Sequence, residues 1–384
     1  MKTALTHRFG IEHPIMSAGM ARVAQAPLVI AVSEAGGMGC LGGVSYLADA
    51  LRDEIRTIRR RTNKPFAVNL LVPPSLVDED AASWEPVRRL WQSLSPEDRE
   101  KLRGVEPLLT PGAVAQQVEV VLDERPAAVV LTFDVPDWFV AACHERDIAV
   151  MALVGSVGRA QQAEAAGAEF IVAQGTEGGG HTGSVPTSIL IPQVLDAVDI
   201  PVIAAGGLTD GRGLAAMLAM GASGVAMGTR FLLSADSSVP DHVKALYLKA
   251  TVFDTVVSKA IDGAPQRVIR TDVIDQLERA KFLAFPKAAV NALKFRKLTG
   301  MPIKQLLQEG LAMRKSQDLS WAQMAMAANA PMMTKATMVD GHPEVGILPT
   351  GQGVGAIDSL PTSAEIIASI VAQATEQLDR LCRS

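Results

Sequence analysis

The sequence predicts an α/β protein, a (β/α)8 (TIM) barrel with an insertion after its third strand and a mainly helical C-terminal extension. Three observations lead there. Short apolar runs rich in Val, Ile and Ala alternate with stretches whose apolar residues recur at helical spacing, the rhythm of a parallel fold. The runs number eight between residues 14 and 230, the strand count of a barrel. The last two runs end in small-residue turns, Gly206-Gly207 and Gly228-Thr229. A doubly wound open sheet is the alternative, and the count favours the barrel.

Taken in order, Pro14 to Ala18 reads as the first strand, followed by the loop Gly19-Met20. Ala26 to Glu34 has helical spacing, Gly36-Gly37 punctuates, and Met38 to Leu41 is the second strand. Leu47 to Arg61 is an amphipathic helix, and Pro65 precedes the third strand, Phe66 to Leu70. From Val72 to Pro111 the rhythm breaks into prolines, charges and two tryptophans, Trp84 and Trp91. This stretch reads as a partly helical insertion, either a lid or a solvated excursion. The alternation then resumes: helix Val114 to Leu122, strand Ala128 to Thr132, helix Trp138 to Glu145, strand Ile148 to Leu153. Gly158 to Ala166 is a helix stopped by Gly167, a C-cap glycine, and Glu169 to Ala173 is the sixth strand. Ile189 to Val198 is helical, Pro201 to Ala205 the seventh strand, and Thr209 or Asp210 caps the helix Leu214 to Met220. Gly224 to Met227 is the eighth strand. Beyond it, Thr255 to Ser258 and Gln266 to Ile269 flank Gly263 as a hairpin-like excursion, residues 275–330 read as several helices, Gly341 to Gly355 as a loop, and Ala364 to Leu381 as a final amphipathic helix. The expected division is a barrel over 1–253, with its insertion at about 72–111, and an extension over 254–384 packed on it.

Composition narrows the function. The chain has 384 residues, 48% hydrophobic and 20% charged, with a formal net charge of −5 and no basic block. A nucleic-acid partner needs clustered Lys and Arg, and aromatics at 4% give no base-stacking surface. Cys40, Cys143 and Cys382 are odd in number and scattered, neither a disulfide framework nor a metal site, as in a reducing cytoplasm. Met1 to Arg8 lacks the apolar core of a signal peptide, and no run reaches the eighteen or so apolar residues of a membrane helix. The expectation is a cytoplasmic enzyme with no metal and no membrane; a homo-oligomer stays open.

The stretch that carries chemistry is Gln174-Gly175-Thr176-Glu177-Gly178-Gly179-Gly180-His181-Thr182-Gly183, directly after the sixth strand. Glycines let backbone approach a flat or charged ligand closely, and a histidine at the end of the run can take or give a proton near neutral pH. Gly178, Gly180 and Gly183 also spell the dinucleotide fingerprint G-x-G-x-x-G. That motif needs a helix to open inside the glycine run. Pro186 argues instead for a loop that continues. In a barrel, catalytic groups sit at the C-terminal strand ends and phosphate at the loops after strands seven and eight. Those loops are Gly206-Gly207, which leads to a helix N-terminus that attracts anions, and Gly228-Thr229. A phosphorylated cofactor with its reactive part near His181 is the economical inference.

The same loop resembles the signature of the nitronate monooxygenases, once called 2-nitropropane dioxygenases, a superfamily that also contains flavin mononucleotide (FMN)-dependent enoyl reductases. Supporting matches are Pro14 to Met20, Ala35 to Gly39, Pro65 to Leu70, Ala205-Gly206-Gly207 and Met227 to Phe231, so the likeness spans roughly residues 8–235. The resemblance implies non-covalent FMN, with Gly19, Met20 and Asn69 along the ring and ribityl chain, Gln174, Gly179 and Gly180 at the ring edge, and Gly206, Gly207, Met227, Gly228 and Thr229 around the phosphate. His181 is then the acid–base group, taking the proton next to a nitro group so that a nitronate can be oxidised with O2. The alternative substrate class is an acyl-CoA or other acyl thioester, with NAD(P)H as co-substrate. Arg267, Arg270, Lys281 and Lys287 in the C-terminal part suit a larger anionic substrate or form a solvated face.

Overall fold

The computed structural model describes residues 1–72, 111–132, 134–280, 331 and 333–383. The insertion expected at about 72–111 falls almost wholly outside these residues, as do Lys281, Lys287 and the helices expected over 275–330 beyond the helix Asp272–Ala280. The centre is a parallel sheet of eight strands: β1 (Ile15–Ser17), β2 (Gly39–Leu41), β3 (Phe66–Leu70), β4 (Ala128–Thr132), β5 (Ala149–Val154), β6 (Phe170–Gln174), and, after a two-residue strand β7 (Gly180–His181), β8 (Val202–Ala205) and β9 (Gly224–Met227). Their order is β1-β9-β8-β6-β5-β4-β3-β2. A parallel bridge between Met16 and Met38 joins the two ends, so the sheet is a closed barrel.

These strands are apolar on both faces because both faces are buried, as parallel strands require. Alternate residues divide between two cores. Met16, Met38, Ala67, Ala128, Val130, Ala149, Met151, Phe170, Val172 and Ile203 fill the barrel interior. Val68, Val129, Leu131, Val150, Ala152, Ile171 and Val202 point outward against the helices. The alternation fixes what reaches the mouth. Asn69 follows Ala67 on the inward face of β3, and Gln174 follows Phe170 and Val172 on that of β6.

A helix the periodicity did not reveal, Ala4–Phe9, closes the other end. Thr3 and Thr6 form a reciprocal capping box, and Gly10 ends the helix at φ +65°. Leu5 and Ile11 enter the interior core beside Ala128, Ala149 and Phe170, the first residues of β4, β5 and β6. The helices Ala26–Glu34, Ala48–Arg61, Pro111–Glu124, Asp137–His144, Val157–Ala165, Thr187–Leu195 and Gly211–Ala219 cover the outside. The last is capped by Asp210, whose carboxylate accepts from the N–H groups of Arg212 and Gly213 at 3.0 and 3.2 Å.

After β9 only a four-residue helical turn, Thr229–Leu232, follows. The outer position next to it is filled from far along the chain, by the helix Ser363–Arg383. Its Ile366, Ile367, Ile370 and Ala374 belong to the barrel's outer core. A Cβ on Gly211 would lie 2.3 Å from the Ile370 carbonyl oxygen, which shows how closely this helix approaches the helix Gly211–Ala219. The last helix of the extension expected over 254–384 thus packs directly on the barrel. Between that helical turn and this helix, residues 233–280, 331 and 333–362 are described, and their chain forms an excursion before the helix Ser363–Arg383. It has its own core around Tyr247, Leu233, Met338 and Leu348, and carries β10 (Thr255–Ser258) and β11 (Gln266–Ile269), an antiparallel hairpin as expected. β11 also pairs with β7, placing His181 opposite Gln266 and Gly180 opposite Arg267.

Candidate active site

The C-terminal ends of the strands form one mouth with two unlike edges. On one edge lie the turns after β8 and β9. Gly206 and Gly207 both take positive φ, +99° and +71°, a conformation that only glycine adopts cheaply. A Cβ on Gly206 would also sit 3.0 Å from the Gly175 carbonyl oxygen. Among the described residues, the Gly207 and Gly228 N–H groups have no protein acceptor. A Cβ on Gly228 would meet nothing nearer than the Met20 sulfur at 3.5 Å. This edge offers amide donors and room, the requirements of a phosphate cradle. The helix end that sequence reasoning expected to attract an anion is already filled, since Asp210 occupies the first turn of Gly211–Ala219. Likewise the Glu177 carboxylate caps the helix Thr187–Leu195, accepting from the Thr187 N–H at 2.9 Å and its hydroxyl at 2.8 Å.

Met227 is placed differently from the other cradle residues. It lies in the outer core, facing the helices, because Ala226 holds the inward position on β9. Only its backbone reaches the mouth, where its carbonyl accepts from Ala18 N–H at 3.0 Å. Gly19 abuts Asn69, with 2.3 Å from a would-be Cβ to the Asn69 Cβ and 3.0 Å to the Cys40 sulfur. The Asn69 amide donates to the Val130 carbonyl at 2.9 Å and the Thr132 hydroxyl at 3.0 Å, so its carbonyl oxygen is the free polar end. Burial pushes the Cys40 thiol up to about 12, which makes it an inert part of the floor.

The other edge carries the histidine. Gln174 donates to the His181 carbonyl at 2.7 Å, bending the glycine run back over the end of β6. The helix after this run begins only at Thr187, behind Pro186, so the G-x-G-x-x-G spelling is a loop and not a dinucleotide turn. His181 is exposed, with its Nε2 2.8 Å from Asp262 Oδ2 and 3.2 Å from the Gln266 amide nitrogen. Asp262 stands at the hairpin tip and is only 12% exposed. Burial raises its pKa, but hydrogen bonds from His181, Ala264 N–H and Gln266 and the nearby imidazole outweigh this and hold the carboxyl below the usual carboxylate range.

The chain returns to the mouth once more. Residues Thr350 to Gly355 form a strap between the edges. Gly351 N–H donates to the Thr229 hydroxyl at 2.9 Å, and Gln352 N–H to the Glu177 carbonyl at 2.9 Å. A Cβ on Gly179 would strike the Thr350 carbonyl carbon at 2.5 Å, and one on Gly353 the Thr209 methyl at 2.5 Å. The buried Tyr247 anchors the strap by donating to the Pro349 carbonyl at 3.1 Å. Sequence reasoning missed Asp262, Gln266 and the strap. Asp262-Gly263-Ala264-Pro265 carries a turn signal, yet nothing local ties it to a histidine 81 residues earlier. Arg267 is not a solvated base. It is buried and donates to the Thr176 carbonyl at 3.1 Å, while Arg270 pairs with Asp275 at 2.9 Å. Among the described residues no helix is long and apolar enough to cross a membrane.

Comparison with known proteins fits this geometry. The family model for nitronate monooxygenase matches residues 2–373. A relative from Rhodococcus jostii, (3aS,4S,5R,7aS)-5-hydroxy-7a-methyl-1-oxo-octahydro-1H-indene-4-carboxyl-CoA dehydrogenase, is 41% identical over 99% of this chain and 98% of its own. A probable nitronate monooxygenase from Staphylococcus saprophyticus is 34% identical over 72% of this chain and 81% of its own. The solved structure of FabK from Thermotoga maritima superposes with a TM-score of 0.74 at 30% identity, covering 99% of this chain and 98% of that one. The chain belongs to the nitronate monooxygenase family and is an oxidoreductase.

Proposed function

We propose that this member of the nitronate monooxygenase family is an FMN-dependent dehydrogenase that acts on the coenzyme A thioester of an alicyclic carboxylic acid, with His181 as the group that moves the substrate proton. The observation that carries the reading is the part played by the chain beyond residue 253. It supplies Asp262 to the histidine and straps the mouth. The relative that matches across this whole length, at 99% and 98% coverage, is named for a carboxyl-CoA substrate, whereas the Staphylococcus relative matches over 72% of the chain.

The residues present fit the cofactor. Gly207 and Gly228 N–H groups would hold the phosphate, with Gly206 and Thr229 shaping the turns. Asn69 would face the ring system with its carbonyl oxygen, flanked by Gly19 and Met20, and Gln174, Gly179 and Gly180 would line the far side. Gly180 has nothing within 4 Å of a would-be Cβ, so the surface there is open. Bound FMN supplies an acceptor for two electrons. For a secondary alcohol next to the thioester-bearing carbon, His181 takes the hydroxyl proton while the carbon–hydrogen bond breaks with its electron pair. A nicotinamide nucleotide, as oxidised acceptor, completes the turnover.

Oxidation of alkyl nitronates with O2 is the second reading, favoured by the glycine-and-histidine loop and by relatives named for that activity. There His181 would take the proton next to the nitro group of a neutral nitroalkane, giving the nitronate that is then oxidised, and a preformed nitronate would not need that step. The test is anaerobic: holoprotein is mixed separately with a hydroxy-alicyclic acyl-CoA, with ethyl nitronate and with NADH or NADPH, and flavin absorbance is followed. Rapid bleaching by the thioester is expected. Bleaching by the nitronate alone makes the second reading the correct one. A colourless protein that takes up no FMN overturns both.

A further inference from the structure

We propose that Arg230 supplies the positive charge of the phosphate site: a buried guanidinium with no carboxylate on it, fixed behind the turn that carries Gly228 and Thr229, whose counter-ion is the phosphate of FMN. This rests on the reading of an FMN cradle at that turn. It deepens that reading, because the Gly207 and Gly228 amides are neutral donors and a phosphate ester carries nearly two negative charges.

Arg230 is 8% exposed, in the helical turn Thr229–Leu232. Its neighbours are apolar: Phe231 belongs to the barrel's outer core, Leu232 and Leu233 to the core of the excursion. Nη2 donates to the Leu233 carbonyl at 2.5 Å and to the Ser359 carbonyl at 2.8 Å, and the buried Nε has no acceptor. Both acceptors are neutral, and among the described residues no carboxylate touches the guanidinium. Asp358 is exposed and acts on it only through space. The next carboxylates along the chain are turned elsewhere, Asp236 to the Ser363 N–H at 2.6 Å and Glu365 to the Thr362 N–H at 2.8 Å. Burial lowers the pKa of Arg230, yet a guanidinium stays charged at any physiological pH. A buried charge without a partner is costly, and a dianion bound close by offsets that cost.

The bond to Leu233 puts the guanidinium at the end of the turn opposite Gly228. Five residues at helical rise place it about 8–10 Å from the cradle amides. Over that distance open water would weaken the attraction, but the strap covers this side. Gly351 N–H donates to the Thr229 hydroxyl at 2.9 Å, and a Cβ on Gly353 would lie 3.5 Å from the Gly207 carbonyl oxygen. At the effective dielectric of a partly covered site, the charge raises affinity roughly tenfold for each phosphate charge. The same side chain also fastens the cradle turn to Ser359, just past the strap. A mechanical role of that kind acts on any flavin alike, whereas a charge acts on the phosphate.

The experiment separates the two. The full chain, freed of flavin, is titrated with FMN and with riboflavin, which has the same ring and ribityl chain but no phosphate, and flavin fluorescence is followed. The wild type is expected to favour FMN by about 100-fold or more. Arg230→Gln keeps an N–H donor for the carbonyls and removes the charge, so the Kd for FMN should rise about 10–100-fold while that for riboflavin stays within about threefold. Arg230→Lys keeps the charge and should retain most of the preference for FMN. An FMN Kd within about threefold of wild type in Arg230→Gln overturns the proposal. So does an equal loss on both flavins, which makes Arg230 a clamp and nothing more. Should Arg230→Gln fail to fold, loss of the FMN preference in Arg230→Lys, or a preference below about tenfold in the wild type, overturns it as well. A wild type that takes up neither flavin sinks the FMN reading itself, whereas strong FMN preference left intact by Arg230→Gln sinks the role of Arg230 alone.

Discussion

The two edges of the mouth are built on different principles. The turns after β8 and β9 are made where they stand: a strand ends, glycine takes a positive φ, and amides are left facing the opening. The histidine edge is incomplete until distant chain arrives. β7 exists only because β11 pairs with it, and His181 is held by a residue 81 positions away. The difference teaches that the two edges of one mouth draw on different stretches of chain for their shape. The glycine turns take their shape from the barrel strands and are only braced by the strap, through Gly351 N–H on the Thr229 hydroxyl, whereas the strand that carries the histidine forms by pairing with β11.

Substitutions can break or sharpen that contrast. The largest effect is expected at the histidine edge. His181→Asn keeps size and polarity but cannot exchange protons near neutral pH, so turnover of a substrate that must lose a proton should drop about 10²–10⁴-fold with FMN still bound. Equal losses on nitroethane and preformed ethyl nitronate in steady-state assays would make His181 a binding residue instead. At the cradle, Gly228→Asp is the cleaner probe, because Gly228 has an ordinary φ of −94° and space for a Cβ, whereas Gly207 has φ +71° and Glu177 beside it. Two negative charges at about 4 Å cost about 4 kcal/mol at a protein surface, or about 10³-fold in FMN affinity. The apoprotein melting temperature should hardly move. Unchanged FMN binding by fluorescence titration would put the phosphate elsewhere.

Between the edges, Gly179→Ala forces the strap outward, since its Cβ would meet the Thr350–Gly351 backbone at 2.5 and 2.6 Å. The cost is about 1–3 kcal/mol, seen as a lower melting temperature together with faster FMN release. A variant as stable as wild type would show that the strap yields freely. The smallest effect belongs to Asp210→Ala, which removes the cap of the helix Gly211–Ala219 and costs about 1 kcal/mol in urea unfolding. Turnover should stay near wild type, because the first N–H groups of that helix are already satisfied by Asp210 and Gln373; a large loss of FMN affinity would place the phosphate at that helix end.

The same contrast decides what could be read from the sequence. All eight barrel strands are legible because each is a short, mainly apolar run, and the helix Ala26–Glu34 emerges with the expected limits. Ala4–Phe9 was hidden because six residues with a threonine cap carry too little period to show. The last helix is visible as an amphipathic run, but that it completes the barrel's outer ring is a property of packing against Gly211. In the site, glycine turns announce themselves locally. Asp262 does not, since an acidic residue in a turn looks the same with or without a partner. The Met227 side chain shows a related limit: a motif names residues, while the pleat decides which side chain faces in.

One joint in the barrel differs from the rest. β4 and β5 share five aligned pairs, but β1 and β2 meet through the single bridge Met16–Met38. Two backbone hydrogen bonds, Ser17 N–H to Met38 and Met38 N–H to Ile15, are supplemented by the Ser17 hydroxyl accepting from Cys40 N–H at 3.0 Å. Local opening costs least where the fewest bonds must break. Amide hydrogen exchange at Ser17, Met38 and Cys40 should therefore outpace that in β4 and β5, and equal protection would show the joint to be as firm as the others. Because Gly19 and Met20 follow this joint directly, the least-bonded seam of the cylinder lies beside the mouth, and the remaining seven ladders should be the slower to exchange.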